Sequence, residues 1–322
     1  MVTGGAGFIG SHLVDSLLML GCEVIAYDDF DDFYPGKRAN VIPNESNRHY
    51  RLIEGDILDF PRLRDAMKGV SIVFHEAAQA GVRYCIENPR KADEVNAKGT
   101  MNTLVAAREN EVRKIVYASS SSVYGKPIRV PLSEDDPTRP TNPYGASKLA
   151  GENYCLSFNE TYGTPVACVR YFSVYGPRGR PDQVVSAFAK SAAEGRRPTI
   201  YGDGRQSRDF TYVADIVSGT ILAAMADESI GEVINLGCGR EISILDVAEK
   251  VIERLGVDLQ PTFKRGYDGD FPRTLCNNHK AEKILRWKPQ VGFDEGVEHF
   301  FDWFERTRMK TIPVKSSALS RK

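Results

Sequence analysis

The chain has 322 residues, with 42 Lys and Arg against 43 Asp and Glu and a formal net charge of -1. That balance argues against nucleic acid or an anionic membrane as a partner, and no apolar run approaches the roughly 18 residues of a membrane helix. With 42% hydrophobic residues the chain can bury a full core, and its length suits one large domain with a smaller companion.

The N-terminus shows no charged region followed by an apolar core and cleavage site, so the expected location is cytoplasmic. The six cysteines are scattered without a Cys-x-x-Cys pair and the five histidines are dispersed. Free thiols and no metal site are expected.

The chain is organised around Thr3-Gly4-Gly5-Ala6-Gly7-Phe8-Ile9-Gly10. Glycines at 4, 7 and 10 permit a tight turn, close approach of backbone to a pyrophosphate, and close packing of the next helix on a sheet. Leu13, Val14, Leu17 and Leu18 then recur at helical spacing, so the free N–H groups of that helix start would face phosphates. A glycine-rich triplet alone is only a turn. Here the apolar run Val24 to Tyr27 follows, closed by Asp28, an acid that can accept both ribose hydroxyls and would repel the extra phosphate of NADP. The cofactor implied is NAD. Only Met1 and Val2 precede Thr3, so the first strand is expected to be stunted, or the start codon to be late.

Farther on, Ile72-Val73-Phe74, Ile115-Val116-Tyr117 and Val166 to Tyr171 read as buried parallel strands, and Ala92 to Arg108 and Tyr144 to Tyr162 as helices. The pattern predicts an α/β fold, a doubly wound parallel sheet with a smaller α/β substrate domain. Residues 1–172 and 209–236 form the NAD-binding domain in this reading, and 173–208 and 237–305 the substrate domain. A helix is expected at Val184 to Ala193, a strand at Val233-Ile234-Asn235, and helices from about Ser243 and through Phe293 to Phe304. Residues 306–322 read as a basic, solvated tail.

Ligands of such sheets sit beyond the carboxyl ends of the strands. Asp28, Gly55-Asp56-Ile57, Ala77-Ala78 and Ser119 to Ser122 lie there. Asn142-Pro143 starts a helix on which Tyr144 and Lys148 are four apart, hence on one face. A cation about 4–5 Å from a phenol at an effective dielectric near 20 contributes roughly 4 kcal/mol, about three pH units, so lysine plus the positive nicotinamide would bring Tyr144 to a working range. Tyr-x-x-x-Lys alone is a common surface pair. The serine cluster at the end of a strand gives it a partner hydroxyl for the oxygen being oxidised.

These motifs resemble the extended short-chain dehydrogenase/reductase superfamily, in its NAD-dependent sugar-nucleotide epimerase/dehydratase branch. The resemblance covers about Val2 to Phe304 and includes Val95-Asn96 with Gly99-Thr100, Ser119 to Gly125, Pro143 to Lys148, Arg170-Tyr171-Phe172 and Arg208-Asp209-Phe210. It implies Tyr144 as base, Lys148 as pKa modifier and ribose ligand, and Ser120 as hydroxyl partner. It implies an NAD site lined by Gly4, Gly7, Phe8, Ile9, Gly10, Asp28, Asp29, Asp56, Ile57, Ala77, Ala78, Asn96 and Phe172, with Tyr144 and Lys148. Arg208 is expected at the nucleotide diphosphate, and Ser121, Ser122, Ser173 and Asp270 with the substrate. The family usually dimerises through the helices placed here at 92–108 and 144–162.

Dehydratases of the family carry an Asp-Glu pair after the serine, and UDP-glucuronate decarboxylases resemble Thr-Ser-Glu. This chain has Ser121 and Ser122. The expected reaction is therefore 4-epimerisation of a UDP-sugar through a 4-keto intermediate. Asp28 to Pro35, Ala77 to Tyr84 and Tyr175 to Asp182 resemble UDP-glucuronate 4-epimerases, with Arg83 and Arg180 as candidates to hold the C6 carboxylate. UDP-glucose/UDP-galactose 4-epimerisation is the alternative, and an NAD-sensing regulatory protein on the same fold is the other class. The chain departs from its relatives at Tyr267-Asp268-Gly269-Asp270, where they have Arg two residues before Gly-Asp. Arg265 or Arg273 would substitute there.

Overall fold

Alternating apolar runs and helical segments produce twelve strands in the computed structural model, which describes residues 1–33, 35–266 and 271–311, the last four as backbone alone. In chain order they are β1 (Val2–Thr3), β2 (Val24–Asp28), β3 (Tyr50–Glu54), β4 (Ile72–His75), β5 (Lys114–Ser120), β6 (Val166–Tyr171), β7 (Ser173–Tyr175), β8 (Thr199–Tyr201), β9 (Ser207–Tyr212), β10 (Val233–Leu236), β11 (Glu241–Ser243) and β12 (Thr262–Lys264). Seven join one parallel sheet in the order β10-β6-β5-β4-β1-β2-β3. Strand order reverses between β1 and β4, which places a ligand crevice there.

β1 is two residues long, yet it is paired on both sides: Val2 with Ala26 and Phe74, Thr3 with Tyr27 and His75. It stops because Gly4 turns at φ +69° and sends its N–H back to the Tyr27 carbonyl at 2.7 Å. β5 runs beyond the apolar triplet that announces it, since Ala118, Ser119 and Ser120 stay in register with Val169, Arg170 and Tyr171 of β6. All seven of its residues are buried, as befits a strand covered on both faces.

Helices cover the sheet. Pro143–Tyr162 begins at Asn142, whose side-chain oxygen accepts the Gly145 N–H at 2.9 Å, and ends at left-handed Gly163. The helix expected at 92–108 is helical from Pro89 to Glu109, with a wider π-type turn over Glu94–Lys98. No helix among the described residues is long and apolar enough to cross a membrane.

A three-stranded sheet, β11-β9-β7, and a two-stranded one, β12-β8, build the smaller layer. The boundary expected at 208/209 falls inside β9, which lies wholly in the small sheet. The helix Phe293–Thr311 packs on β9, with the Phe293 ring 5.1 Å from Tyr175 and 5.6 Å from Phe210. Gly296 allows this approach, because a Cβ there would lie 2.1 Å from the Tyr175 hydroxyl. That helix runs past Glu305, where a solvated tail was expected to begin. Residues 312–322 of the expected tail lie outside the described residues.

Candidate active site

A cleft with about 1050 Å³ of open space lies beyond the carboxyl ends of β1, β2, β4 and β5. One end is a backbone cradle. A Cβ on Gly4 would lie 2.7 Å from the Ala77 nitrogen, and one on Gly10 2.1 Å from the Gly4 carbonyl oxygen. Neither neighbour can yield, so only glycine fits. The turn leads into the helix Phe8–Met19, whose first N–H groups open on the cleft. Asp28 closes the cradle: it accepts the Ala6 N–H at 3.0 Å and the Phe30 N–H at 2.9 Å, with the Lys37 ammonium 3.5 Å away. Burial pushes this carboxyl up, and Lys37 leads the influences that oppose it.

The turn glycines, Phe8-Ile9, Asp28-Asp29, Asp56-Ile57 and Ala77-Ala78 all line the cleft. Two residues expected there stand elsewhere. Asn96 is fully buried and spends its amide on Gln79, through N–H to its oxygen at 2.7 Å and from its nitrogen to O at 3.1 Å, and on Ser147 Oγ at 2.9 Å. It braces the wall from behind. Phe172 packs with Val123, Tyr124, Leu132 and Cys276 in a satellite cluster.

Tyr144 and Lys148 face the other end of the cleft. Ser120, at the tip of β5, accepts the Ser122 N–H at 3.1 Å and starts the short turn Ser121–Tyr124. That turn sits against the helix start because Gly145 has no Cβ, which would lie 2.5 Å from the Ser122 oxygen. Burial pushes the Tyr144 phenol up. Arg180's charge leads the opposing influences, followed by a hydrogen bond from Ser120. Lys148, the cation expected to lower the phenol, has its ammonium over the Tyr117 ring at 4.6 Å; burial pulls it down to about 8, and Glu76 is its main counter-charge.

Glu76 is a residue that sequence reading missed. It lines the cleft directly after β4, its Oε1 accepts the Tyr171 hydroxyl at 2.7 Å, and desolvation pushes it up to about 7. The signal was an acid set immediately behind an apolar strand, on the edge where ligands bind. Lys37 was missed as well, since nothing local ties it to Asp28 nine residues earlier.

The residues expected around the substrate are dispersed. Arg180 lines the cleft and pairs with Asp182 through Nε at 2.9 Å and Nη2 at 3.1 Å. Its loop is pinned to the helix Phe8–Met19: His12 Nε2 donates to the Pro177 carbonyl at 2.9 Å, and Arg178 meets Asp15 at 2.7 Å. Arg83 is exposed, with its guanidinium 5.0 Å over the Tyr201 ring. Arg208 lies on β9 and donates to the Ser207 carbonyl at 2.7 Å. Ser121 and Ser122 are half-buried in their turn, and Ser173 opens β7. Arg273 pairs with Glu241 at 2.6 Å on the surface. Asp270 lies outside the described residues. Asp209, beside Arg208, is fully buried and accepts the N–H groups of Cys238, Gly239 and Cys276 at 2.8, 2.9 and 3.0 Å, so this part of the motif organises the fold.

Parallel sheet, glycine cradle and closing acid define a dinucleotide-binding protein of the doubly wound class. Residues 1–237 match the NAD dependent epimerase/dehydratase family. A putative UDP-glucose 4-epimerase of Methanocaldococcus jannaschii is 35% identical over 309 residues, covering 95% of this chain and 98% of that one. A UDP-glucuronate 4-epimerase of Thermodesulfobacterium geofontis is 36% identical over 315 residues, 94% of this chain and 95% of that one. The crystal structure of UDP-glucuronic acid 4-epimerase from Bacillus cereus, with UDP-glucuronic acid and NAD, superposes with a TM-score of 0.91 at 35% identity, covering 95% of this chain and 98% of that chain. The chain belongs to the NAD-dependent epimerase/dehydratase family, and NAD is its cofactor.

Proposed function

We propose that this chain, an NAD-dependent UDP-sugar 4-epimerase, interconverts UDP-glucuronate and UDP-galacturonate. The observation that carries the choice of sugar is Arg180, a guanidinium in the cleft close enough to act on the Tyr144 phenol. A sugar whose C4 hydroxyl meets Tyr144 brings its C6 substituent into the same region. A carboxylate there gains a charge-assisted hydrogen bond and shares the arginine fork with Asp182.

In this reading Tyr144 takes the C4 hydroxyl proton, Ser120 orients the oxygen, and Lys148 supplies positive charge and holds the nicotinamide ribose. NAD, which the glycine cradle, Asp28 and Lys148 would hold, would supply the hydride acceptor and donor for C4. Tyr144 then gives its proton back, so no second acid/base pair is required, in keeping with Ser121 and Ser122 where dehydratases carry acids. Arg208 is assigned to the diphosphate. Cytosolic residence belongs to the proposal, as does a homodimer through helices 92–108 and 144–162, on the second of which Tyr154 and Tyr162 are 38% and 51% exposed. Sedimentation at assay concentration is expected to show a dimer, and a monomer removes that part.

The sugar is tested by kcat/KM for UDP-glucuronate and UDP-glucose on wild type and Arg180→Ala. Loss of the guanidinium raises the Tyr144 pKa for both sugars alike, and that effect cancels in their ratio. The contact itself is worth roughly 10- to 150-fold in favour of the acidic sugar. A wild type that prefers UDP-glucose, or a ratio unmoved by the substitution, makes the neutral-sugar epimerase the better reading.

A further inference from the structure

Beneath the cleft a chain of hydroxyls runs from Glu76 into the fold. Glu76 Oε1 lies 2.7 Å from the Tyr171 hydroxyl, Tyr171 lies 2.8 Å from Thr220 Oγ1, and Thr220 lies 2.7 Å from the Ile216 carbonyl oxygen. Each hydroxyl carries one proton, so the chain has two consistent settings. With Glu76 ionised, Thr220 donates to Tyr171 and Tyr171 donates to the carboxylate. With Glu76 protonated, it donates to Tyr171, Tyr171 donates to Thr220, and Thr220 donates to the Ile216 carbonyl. Switching needs only rotation of two hydroxyls, so this site accepts a carboxyl in either state without leaving a buried polar atom unpaired.

The groups that face Glu76 come from three elements. The helix Pro143–Tyr162 brings Lys148 and Tyr144, β6 brings Tyr171, and the helix Val213–Met225 brings Thr220. On β4 itself His75 is held neutral by burial and turned away, between Thr3 and Thr100. Arg180 acts from the loop above on Tyr144. Lys148 is 2% exposed, no described ion pair within 4 Å holds it, and Glu76 lines the same cleft. The Cys155 and Cys168 thiols and Glu152 also act on the ammonium, but Glu152 is already engaged by Arg170 at 2.6 Å and by Ser119 at 2.6 Å. An ammonium in so dry a place is held charged by an acid that shares its cleft.

We propose that Glu76 is the counter-ion of the Tyr144–Lys148 pair: its carboxylate, steadied by the Tyr171 hydroxyl in the floor of the cleft, keeps Lys148 protonated and sets the pH range of turnover. The role is one of positioning and charge, because the epimerisation step itself needs no group at Glu76. It rests on the reading of Tyr144 and Lys148 as base and pKa modifier. Glu76 also raises the Tyr144 phenol, so removing its charge lowers both groups. The whole bell of activity against pH then moves to the acid side, which a purely structural loss does not do.

The test is a pH titration of the lysine 13Cε resonances in the NAD-bound protein, with Lys148 assigned by its absence in Lys148→Arg. In Glu76→Gln the Lys148 midpoint is expected to fall by about 1–3 units, the usual reach of a nearby opposite charge. Glu76→Asp is expected to keep most of it. The bell in kcat should shift the same way. A Lys148 midpoint that stays put in the glutamine variant overturns the proposal, even if activity drops. Should that variant fail to fold, Tyr171→Phe withdraws the donor that favours the carboxylate. It must move the midpoint in the same direction by less, and no movement there is equally fatal. The titration uses no sugar, so an error in the assigned UDP-sugar leaves it standing, whereas a wild type that epimerises neither sugar sinks the functional reading alone.

Discussion

The two ends of the cleft are built by different means. The cofactor end is local: one turn, one helix start and one acid, all within residues 3–28, with backbone atoms making the surface. The Tyr144 end is assembled from far apart. Ser120, which reaches the Tyr144 phenol without lining the cleft, comes from β5, Tyr144 and Lys148 from a helix, Glu76 from behind β4, and Arg180 from a loop that His12 and Asp15 anchor. A surface of backbone tolerates almost no added atom. One of side chains depends on charges that tune each other.

Tyr144→Phe removes the phenol from the assembled end and should lower kcat by about 10²–10⁴-fold, with NAD affinity by calorimetry unchanged. Near wild-type turnover would remove the proposed mechanism. Gly10→Ala strikes the local end, where the new Cβ meets the Gly4 oxygen. Overpacking strain of about 1–3 kcal/mol should weaken NAD roughly 5- to 150-fold while the Tyr144 end keeps its geometry. If NAD binds that variant normally, the cradle is softer than its contacts indicate.

The boundary between the ends passes between two adjacent residues, and pH separates them. His75, held by Thr3 and Thr100, is pulled by burial to about 3, so it stays neutral when folded but protonates below about 6.5 once unfolded. The unfolded state then binds the extra proton, and stability falls as pH drops from 6.5 toward 3, by up to about 1.4 kcal/mol per pH unit. Glu76 has the opposite sign. Its folded value near 7 against 4.5 unfolded means that the folded state holds the extra proton, so this group adds stability as pH falls from 7 to 4.5. Acid unfolding followed by circular dichroism should be shallower in His75→Gln and steeper below neutrality in Glu76→Gln. The same change in both variants would contradict the assignment.

The smallest effect is expected at the rim. Arg273, a sequence candidate for the diphosphate, is engaged by Glu241 on the surface. Arg273→Ala should leave kcat/KM within about twofold, as surface substitutions usually do. A tenfold loss confined to KM would place it at the diphosphate after all.

From the sequence alone one could read the parallel sheet, the glycine cradle, Asp28 and the Tyr144–Lys148 helix. Each of these is written in contiguous residues whose spacing has one physical use: a turn that only glycine makes, an i,i+4 face, an apolar run that must be buried. Tertiary structure alone decided what surrounds them. Whether Asn96 lines the cleft or braces it depends on Gln79 and Ser147, and whether Arg180 reaches the phenol depends on where a loop is pinned 165 residues from His12. Glu76 is the plainest case. As a letter it is an acid after a strand. It becomes a charge of consequence only because β6 and two helices close around it, and desolvation and Coulomb energy belong to that enclosure, not to the order of residues along the chain.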